Sequence, residues 1–154
     1  MKEMTAAEAL HRAAAYCPKA EHCISEVSEK LRQWGIGPDD AETIIARLLQ
    51  EKFIDEARFA RSFVGDKFRY SRWGRIKIAY ALRAKRVPEA LVYDALDERI
   101  DEEEYIESLV DLLESKRRQT RAADSYELKG KLFRFAAGRG YESDAISEAL
   151  KRIG

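Results

Sequence analysis

Ten basic side chains are concentrated in the middle of the sequence, where Asp66 is the only acid. A guanidinium group presents a planar fork of donors that pairs with phosphate or carboxylate oxygens, and an ammonium group binds the same anions as a compact charge. This segment could therefore contact nucleic acid or an acidic protein surface; alternatively, it is a solvated face, or it forms ion pairs with the acidic seventh helix that the sequence predicts after Asp101. The candidate residues are Arg58, Arg61, Lys67, Arg69, Arg72, Arg75, Lys77, Arg83, Lys85 and Arg86.

The spacing of the arginines predicts how helices would arrange them. Residues three or four positions apart, and those one or more turns further on, lie on the same side of an α-helix. Arg58 also follows Asp55 by three residues, so it could pair locally with that carboxylate instead. The spacing predicts two basic faces on successive helices, formed by Arg58, Arg61, Arg69 and Arg72, and by Arg72, Arg75, Arg83 and Arg86.

A second basic group lies later in the chain, in and after a predicted connection over residues 115–123. A long basic connection before a helix suits a mobile contact to a polyanion, although a solvated loop would show the same composition. Its members are Lys116, Arg117, Arg118, Arg121, Lys129, Lys131 and Arg134.

Acidic residues are segregated in the same way. Residues 101–114 contain seven acids and no base, and the formal net charge of the whole chain is zero. A zero net charge argues against tight, sequence-independent DNA binding, but the segregation produces strong local fields that the total hides. We expect the basic segments to meet a partner and the acidic helix to avoid phosphate.

Two aromatic residues flank the first basic face. Tyr70 and Trp73 could stack on a nucleic-acid base, or they could pack where helical units meet. Phe59, Phe63 and Tyr105 lie on apolar stripes, and we expect them in the core.

No pattern in the sequence indicates catalysis or a bound cofactor. It contains no glycine-rich phosphate loop, and no nucleophile–base arrangement stands out. His22 and Cys23 are adjacent, so on a helix their side chains would point about 100° apart, and their spacing to His11 and Cys17 does not fit a structural zinc site. We expect no catalytic residue, no cofactor and no metal site.

Two further features indicate the compartment. Cys17 and Cys23 are the only cysteines and make no disulfide framework, which suits a reducing cytosol. No apolar run approaches the roughly 20 residues that a membrane span needs. We expect a cytoplasmic protein without membrane contact.

The elements that would position these side chains are all helices. Apolar residues recur at helical spacing in nine segments, and Thr5, Asp55, Asp101 and Asp124 precede segments as N-caps. Pro18 and Pro38 fit the first turns of a second and a third helix, and glycines at 35, 37, 138 and 140 break the pattern. The pattern predicts an all-α protein with short loops.

The helices recur in groups of three. Ile54-Asp55 reappears as Ile100-Asp101, and in the same register Phe59 matches Tyr105. We predict three tandem three-helix repeats over residues 5–54, 55–100 and 101–154, which form an elongated, curved helical array with a central, basic second repeat. Since both ends are capped, we expect a monomer.

Residues 53–60, Phe-Ile-Asp-Glu-Ala-Arg-Phe-Ala, resemble the Y-I-D-[DE]-x-R-F-A signature of the RecX family of regulatory proteins. Gly74-Arg75-Ile76 with Leu82 resembles the family's later G-x-x-[RK]-[IL] helix, and Glu29-Lys30-Leu31 with Trp34-Gly35 resembles its first-repeat pattern. The resemblance covers about residues 6–152. One departure is Arg86, where the family often has glycine, so the turn after the fifth helix could be strained.

The resemblance implies a regulator of the RecA recombinase that acts in DNA repair, recombination and the SOS response. Such a protein binds the RecA–single-stranded DNA filament in its groove and inhibits filament extension, ATP hydrolysis and strand exchange. It is not an enzyme. Two alternatives are a helical-repeat module that binds nucleic acid directly and a peptide-binding helical scaffold.

Overall fold

The structure is a computed structural model that describes residues 4–17 and 21–154. Throughout these residues the regular secondary structure is helical, which confirms the predicted all-α repeat fold. The helices are α1 (Ala6–Tyr16), α2 (Ile24–Gln33), α3 (Pro38–Gln50), α4 (Glu56–Arg69), α5 (Arg75–Ala84), α6 (Glu89–Arg99), α7 (Glu102–Gln119), α8 (Ser125–Gly138) and α9 (Ser143–Ile153).

Four helices begin where the sequence predicts a cap. In each case a side-chain oxygen accepts the backbone N–H three residues on, which satisfies a donor that the first helical turn leaves unpaired. The distances are 3.1 Å at Thr5, 3.0 Å at Asp55, 3.0 Å at Asp101 and 2.8 Å at Asp124.

The start of the second helix differs from the prediction. Pro18 lies outside the described residues, and α2 begins only at Ile24. Cys23 occupies the N-cap position with an extended backbone, and its N–H donates to the Glu26 carboxylate at 3.3 Å. The carboxylate that reaches back to Cys23 therefore defines this helix start.

The end of the seventh helix also differs from the prediction. α7 continues to Gln119, so the connection to α8 is only residues 120–124. The chain has no glycine or proline there, and three cations in the last turn complement the negative end of the helix dipole. Lys116, Arg117 and Arg118 are thus helical, and the prediction of a loop over residues 115–123 is wrong.

The same turn ends the second helix of each predicted three-helix group. Gly35, Arg86 and Gly140 have positive φ angles of 82°, 63° and 93°. In each turn the following N–H donates to a carbonyl five residues back, which is the Schellman hydrogen-bond pattern. The following residues are buried, and they are Ile36, Val87 and Tyr141. The predicted strain at Arg86 is confirmed, because an L-residue there adopts a conformation that favours glycine.

The contacts divide the chain into two compact units. One contains the described residues up to Ser62 together with Leu82–Val92, and the other contains Phe63–Ala81 and Tyr93–Gly154. The divisions fall inside α4, α5 and α6. The predicted repeat boundaries at residues 54/55 and 100/101 therefore stay a prediction.

Each unit has its own apolar core. In the first, α1, α2 and α3 pack around side chains that include Val27, Leu31 and Leu48. In the second, α7 packs against α8 and α9, and Tyr105 and Leu109 are fully buried. Tyr105 lies in the core as predicted, and so does Phe59, whereas Phe63 is only partly buried.

In the second unit, the residues that start α5 lie against the turn that follows α8. The Gly74 N–H donates to the Arg139 carbonyl at 2.8 Å, and the Ile76 N–H donates to the Gly140 carbonyl at 3.0 Å. A Cβ on Gly74 would overlap the Gly140 backbone, and a Cβ on Gly140 would overlap Lys77. The close approach of the two backbones therefore requires glycine at both positions.

Replacing Arg86 with glycine should stabilise the protein. Glycine removes the steric penalty of the left-handed conformation but adds freedom to the unfolded chain, so we expect a net gain of about 0.5–1 kcal/mol in the free energy of unfolding. Urea denaturation followed by circular dichroism measures it. Arg86→Ala is the matched control, because it removes the charge and keeps the strain, and an equal gain from both variants would contradict the explanation.

Gly35→Ala and Gly140→Ala should differ sharply, although both glycines have a positive φ. A Cβ on Gly35 meets open space, so we expect a loss of about 1 kcal/mol from the backbone conformation alone. A Cβ on Gly140 meets Lys77, which should add about 1–3 kcal/mol of overpacking. The midpoints of urea denaturation measure the stability of the two variants. Equal losses of stability would show that the close approach of Gly140 to Lys77 does not require glycine.

Candidate binding surfaces

The first predicted basic face begins with a residue that is already paired. The backbone N–H of Arg58 donates to the Asp55 cap, but its guanidinium Nε lies 2.7 and 2.8 Å from the two carboxylate oxygens of Glu21. This hydrogen bond raises the pKa of Arg58 and fixes the side chain. Arg58 therefore holds the start of α4 against residue 21.

The prediction that four arginines share a face of the fourth helix is wrong. α4 ends at Arg69, and Arg72 follows it in a turn with φ 57°. Its Nη1 donates to the Ser108 carbonyl at 3.4 Å, and its own carbonyl accepts the Tyr141 hydroxyl at 3.2 Å. Burial raises the pKa of Tyr141 to about 12, so that hydroxyl stays a donor. Among the described residues, Arg61 and Arg69 are the arginines of α4 without an ion pair, and Lys67 lies over aromatic rings.

The repeated face predicted on the fifth helix is wrong for the same reason. α5 spans Arg75–Ala84, so Arg72 precedes it and Arg86 follows it, both with positive φ angles. Tight turns, which local spacing does not reveal, redirect these two side chains away from the helical register.

Arg75 is half-buried and lies between two carboxylates. Its guanidinium donates to Glu102 and, at 3.1 Å, to Glu142, and it lies 4.0 Å from the centre of the Tyr105 ring. Burial alone would lower the pKa of Arg75, but the hydrogen bond with Glu102 and the charge of Glu142 raise it above its usual value. Two carboxylates thus neutralise the charge, and Arg75 joins α5 to the starts of α7 and α9.

Tyr105 completes this network. Its hydroxyl accepts the Arg75 backbone N–H at 3.0 Å and donates to a Glu142 oxygen. Burial raises the pKa of Tyr105 well above its usual range, and the hydrogen bond to the Glu142 carboxylate is the second cause of this rise. The tyrosine on the predicted apolar stripe is therefore also a polar anchor.

Trp73 is covered by two of the candidate lysines. The Lys67 Nζ lies 4.7 Å from the centre of the indole ring, and the Lys77 Nζ lies 4.6 Å from it. Such cation–π contacts favour packing over stacking on a base. Tyr70 differs, because 82% of its surface is exposed.

Two further cations, in the last turn of α5 and just after it, form ion pairs. Arg83 forms an ion pair with Glu89, and the Lys85 Nζ lies 2.8 Å from a Glu26 oxygen. The Lys85 carbonyl accepts the Ser25 hydroxyl at 2.7 Å, so this residue binds the start of α2 twice. Burial alone would raise the pKa of Glu26, but the hydrogen bond from Lys85 lowers it below its usual value.

The acids of α7 face the basic residues that the sequence predicts as a binding face. A cleft of about 260 Å³ lies between the end of α4 and α7. Its lining residues are Phe68, Arg69, Arg72, Glu104, Glu107, Ser108 and Asp111. Three carboxylates thus lie near two guanidinium groups, which reduces the attraction of this cleft for phosphate.

The second basic group keeps more of its cations available. Arg118, Arg121 and Lys129 are exposed and have no ion pair among the described residues, while Arg117 donates to the Ile153 carbonyl at 3.1 Å. Lys131 pairs with Glu127 at 3.1 Å. Lys116 lies 4.8 Å from the centre of the Phe135 ring.

The cysteine and histidine residues behave as structural groups. Cys17 and Cys23 are buried free thiols, and burial raises the pKa of Cys17. His22 stacks on Tyr16 with ring centres 4.1 Å apart. Across residues 4–17 and 21–154, no set of three metal-ligating side chains comes together, and no helix combines the length and apolar composition of a membrane span.

The structure adds two residues that the motifs of the sequence did not single out. Tyr126 is 89% exposed in the first turn of α8, and the sequence carries a signal for it, because Tyr126 lies off the apolar stripe formed by Leu128, Leu132 and Phe135. Glu142 pairs with Arg75 and has no local signal, since the two residues are 67 positions apart.

Comparison with known proteins identifies the relatives of this chain. The family description "RecX, second three-helix domain" matches residues 55–96, and "RecX, third three-helix domain" matches residues 102–150. Regulatory protein RecX of Prosthecochloris aestuarii is 27% identical over 99% of this chain and 98% of its own length. Regulatory protein RecX of Chlorobium phaeobacteroides is 30% identical over 86% of this chain and 85% of its own length.

Two further matches concern length and fold. Regulatory protein RecX of Clostridium perfringens is 31% identical over 83% of this chain, which spans only 60% of that relative. The crystal structure of RecX from Lactobacillus salivarius superposes with a TM-score of 0.87 at 22% identity, covering 96% of this chain and 95% of the other. This likeness supports the fold alone.

Arg75→Met should destabilise the second unit, because it leaves Glu102 and Glu142 without their cationic partner and removes the cation over the Tyr105 ring. Only 26% of the Arg75 side chain and 28% of the Glu142 side chain are exposed, so we expect a loss of about 2 kcal/mol in urea denaturation. Arg47→Met is the matched control, because the ion pair of Arg47 with Glu51 is mostly exposed and should contribute less than about 0.5 kcal/mol. Equal effects would contradict a structural role for Arg75.

Proposed function

The chain belongs to the RecX family of regulatory proteins, and from this membership we propose that it regulates the RecA recombinase. In this proposal it binds the RecA–single-stranded DNA filament in its groove and inhibits filament extension, ATP hydrolysis and strand exchange. It acts as a cytoplasmic monomer and has no catalytic activity of its own.

Family membership over nearly the whole chain is the observation that carries this proposal. Both family descriptions concern three-helix domains, and the Prosthecochloris aestuarii relative matches from end to end. The relatives are named regulatory proteins, which favours action through binding over action through chemistry.

The pairing of the cations suggests how the protein divides its basic residues between stability and binding. Arg58, Arg75 and Lys85 bind carboxylates within the fold, so we assign them a structural role. Arg61 and Arg69 are better candidates for contact with the filament, because neither forms an ion pair within the described residues. The acidic side chains along α7 suit contact with a basic protein surface.

A second candidate function is direct binding to nucleic acid without a recombinase. The unpaired cations at the end of α7 and along α8 favour it, whereas the zero net charge of the chain argues against it. This candidate predicts tight, strongly salt-dependent binding to bare DNA.

The rate of ATP hydrolysis tests the regulatory function. Purified protein is added to filaments of the cognate RecA on single-stranded DNA, and hydrolysis is followed with time. We expect the rate to fall as the protein approaches the concentration of RecA. An unchanged rate at a large excess of protein would contradict the proposal.

Arg61→Gln combined with Arg69→Gln should weaken inhibition of ATP hydrolysis by about thirtyfold in effective concentration, since two charged contacts of about 1 kcal/mol each are lost at the interface. The control is Arg32→Gln combined with Arg47→Gln, which removes two exposed cations from α2 and α3. The two double variants have the same net charge, so equal weakening would show that α4 has no special part in binding.

A further inference from the structure

We propose that Tyr126 and the unpaired cations near it form a stacking site for single-stranded nucleic acid. The site extends the proposed function and rests on it, because the filament of a recombinase supplies such a strand. It concerns the last helical group and not the central basic segment that the sequence favours.

The exposure of Tyr126 is the first observation. The side chain lies in the first turn of α8 and is 89% exposed, while Leu132, on the other side of the helix, is buried. Within the described residues no ring, hydrogen bond or cation covers Tyr126. The faces of its phenol ring are therefore open, as stacking on a base requires.

The second observation is that the acids of this segment are already occupied. Asp124 caps α8 by accepting the Glu127 N–H at 2.8 Å. Glu127 accepts the Ala123 N–H at 3.1 Å and pairs with Lys131 at the same distance. Among the described residues, Arg118, Arg121 and Lys129 form no ion pair, whereas the charge of Arg134 helps to lower the pKa of the Glu127 carboxyl.

The helical spacing of α8 places one of these cations, Lys129, next to the ring. Lys129 follows Tyr126 by three residues on α8, so the two side chains are neighbours on the helix surface. The Lys131 Nζ donates to the Arg121 carbonyl at 2.7 Å, which holds the connection before α8 against the helix. A base can then stack on Tyr126 while the phosphates on either side meet Lys129 and Arg121.

The chemistry favours a single strand over a duplex or an acidic protein. Paired bases are stacked on each other, so their faces cannot reach an exposed ring, whereas the bases of a single strand can. An acidic protein surface would use the cations but would gain little from the open aromatic face. Tyr70 is almost as exposed but lies next to Arg69, which lines the cleft with the acids of α7.

Binding to a labelled oligo(dT) strand, measured by fluorescence anisotropy at low salt, tests the site. Tyr126→Ala should weaken binding about tenfold, and Tyr126→Phe, which keeps the ring, should bind nearly as wild type. Tyr70→Ala is the matched control and should leave the affinity unchanged. Because both positions are exposed, circular dichroism should show the same helix content in all three variants.

The salt dependence gives a second measurement. Replacing Arg121 and Lys129 with Gln should lower the slope of log affinity against log salt by about 0.7 for each lost phosphate contact. A duplex of the same length should lose no affinity when Tyr126 is replaced. Equal losses on duplex and single strand would overturn the stacking site.

The outcomes separate this site from the proposed function. Wild-type affinity of Tyr126→Ala for oligo(dT), or no binding of the wild-type protein at low salt, overturns the stacking site even if ATP hydrolysis by RecA is inhibited. Binding that depends on Tyr126, without any effect on ATP hydrolysis, supports the stacking site and contradicts the regulatory function.

Discussion

The close approach of two backbones, at the start of α5 and in the turn after α8, is the constraint on which the second unit depends. Gly74 and Gly140 leave no room for a Cβ, and hydrogen bonds from Gly74 and Ile76 hold the two segments together. This contact brings Arg75 within reach of Glu142 and sets its guanidinium over the Tyr105 ring. A carboxylate network then surrounds a cation that would otherwise be free.

A related contact in the first unit is made by side chains instead. The start of α2 lies against the turn after α5, where the Lys85 carbonyl accepts the Ser25 hydroxyl and lies 3.9 Å from the Cys23 sulfur. Arg86 occupies the turn position that Gly140 holds in the second unit, with the same left-handed backbone. In the first unit the contact is therefore made by the Ser25 and Cys23 side chains, where the second unit uses backbone hydrogen bonds.

Charge pairing, more than charge density, separates structural from available cations in this protein. The central segment has the greater excess of basic residues, yet Arg58, Arg75 and Lys85 are bound to carboxylates and Arg69 faces the acids of α7. The segment that begins at the end of α7 has fewer cations, but its two acids serve as a cap and as a partner of Lys131. Available positive charge is therefore shifted toward α8.

Local chemistry determined much of this fold from the sequence. Caps such as Asp55 and Asp101 act on backbone groups only three residues away, and apolar spacing acts within one helix, so both can be read along the chain. Helical spacing gave a wrong prediction at Arg72, because this residue lies in a turn with positive φ and not on a helix. It also gave too short a seventh helix, since α7 continues to Gln119. Tertiary structure alone decided which cations are free, since an ion pair such as Arg75 with Glu142 joins residues that no sequence spacing connects.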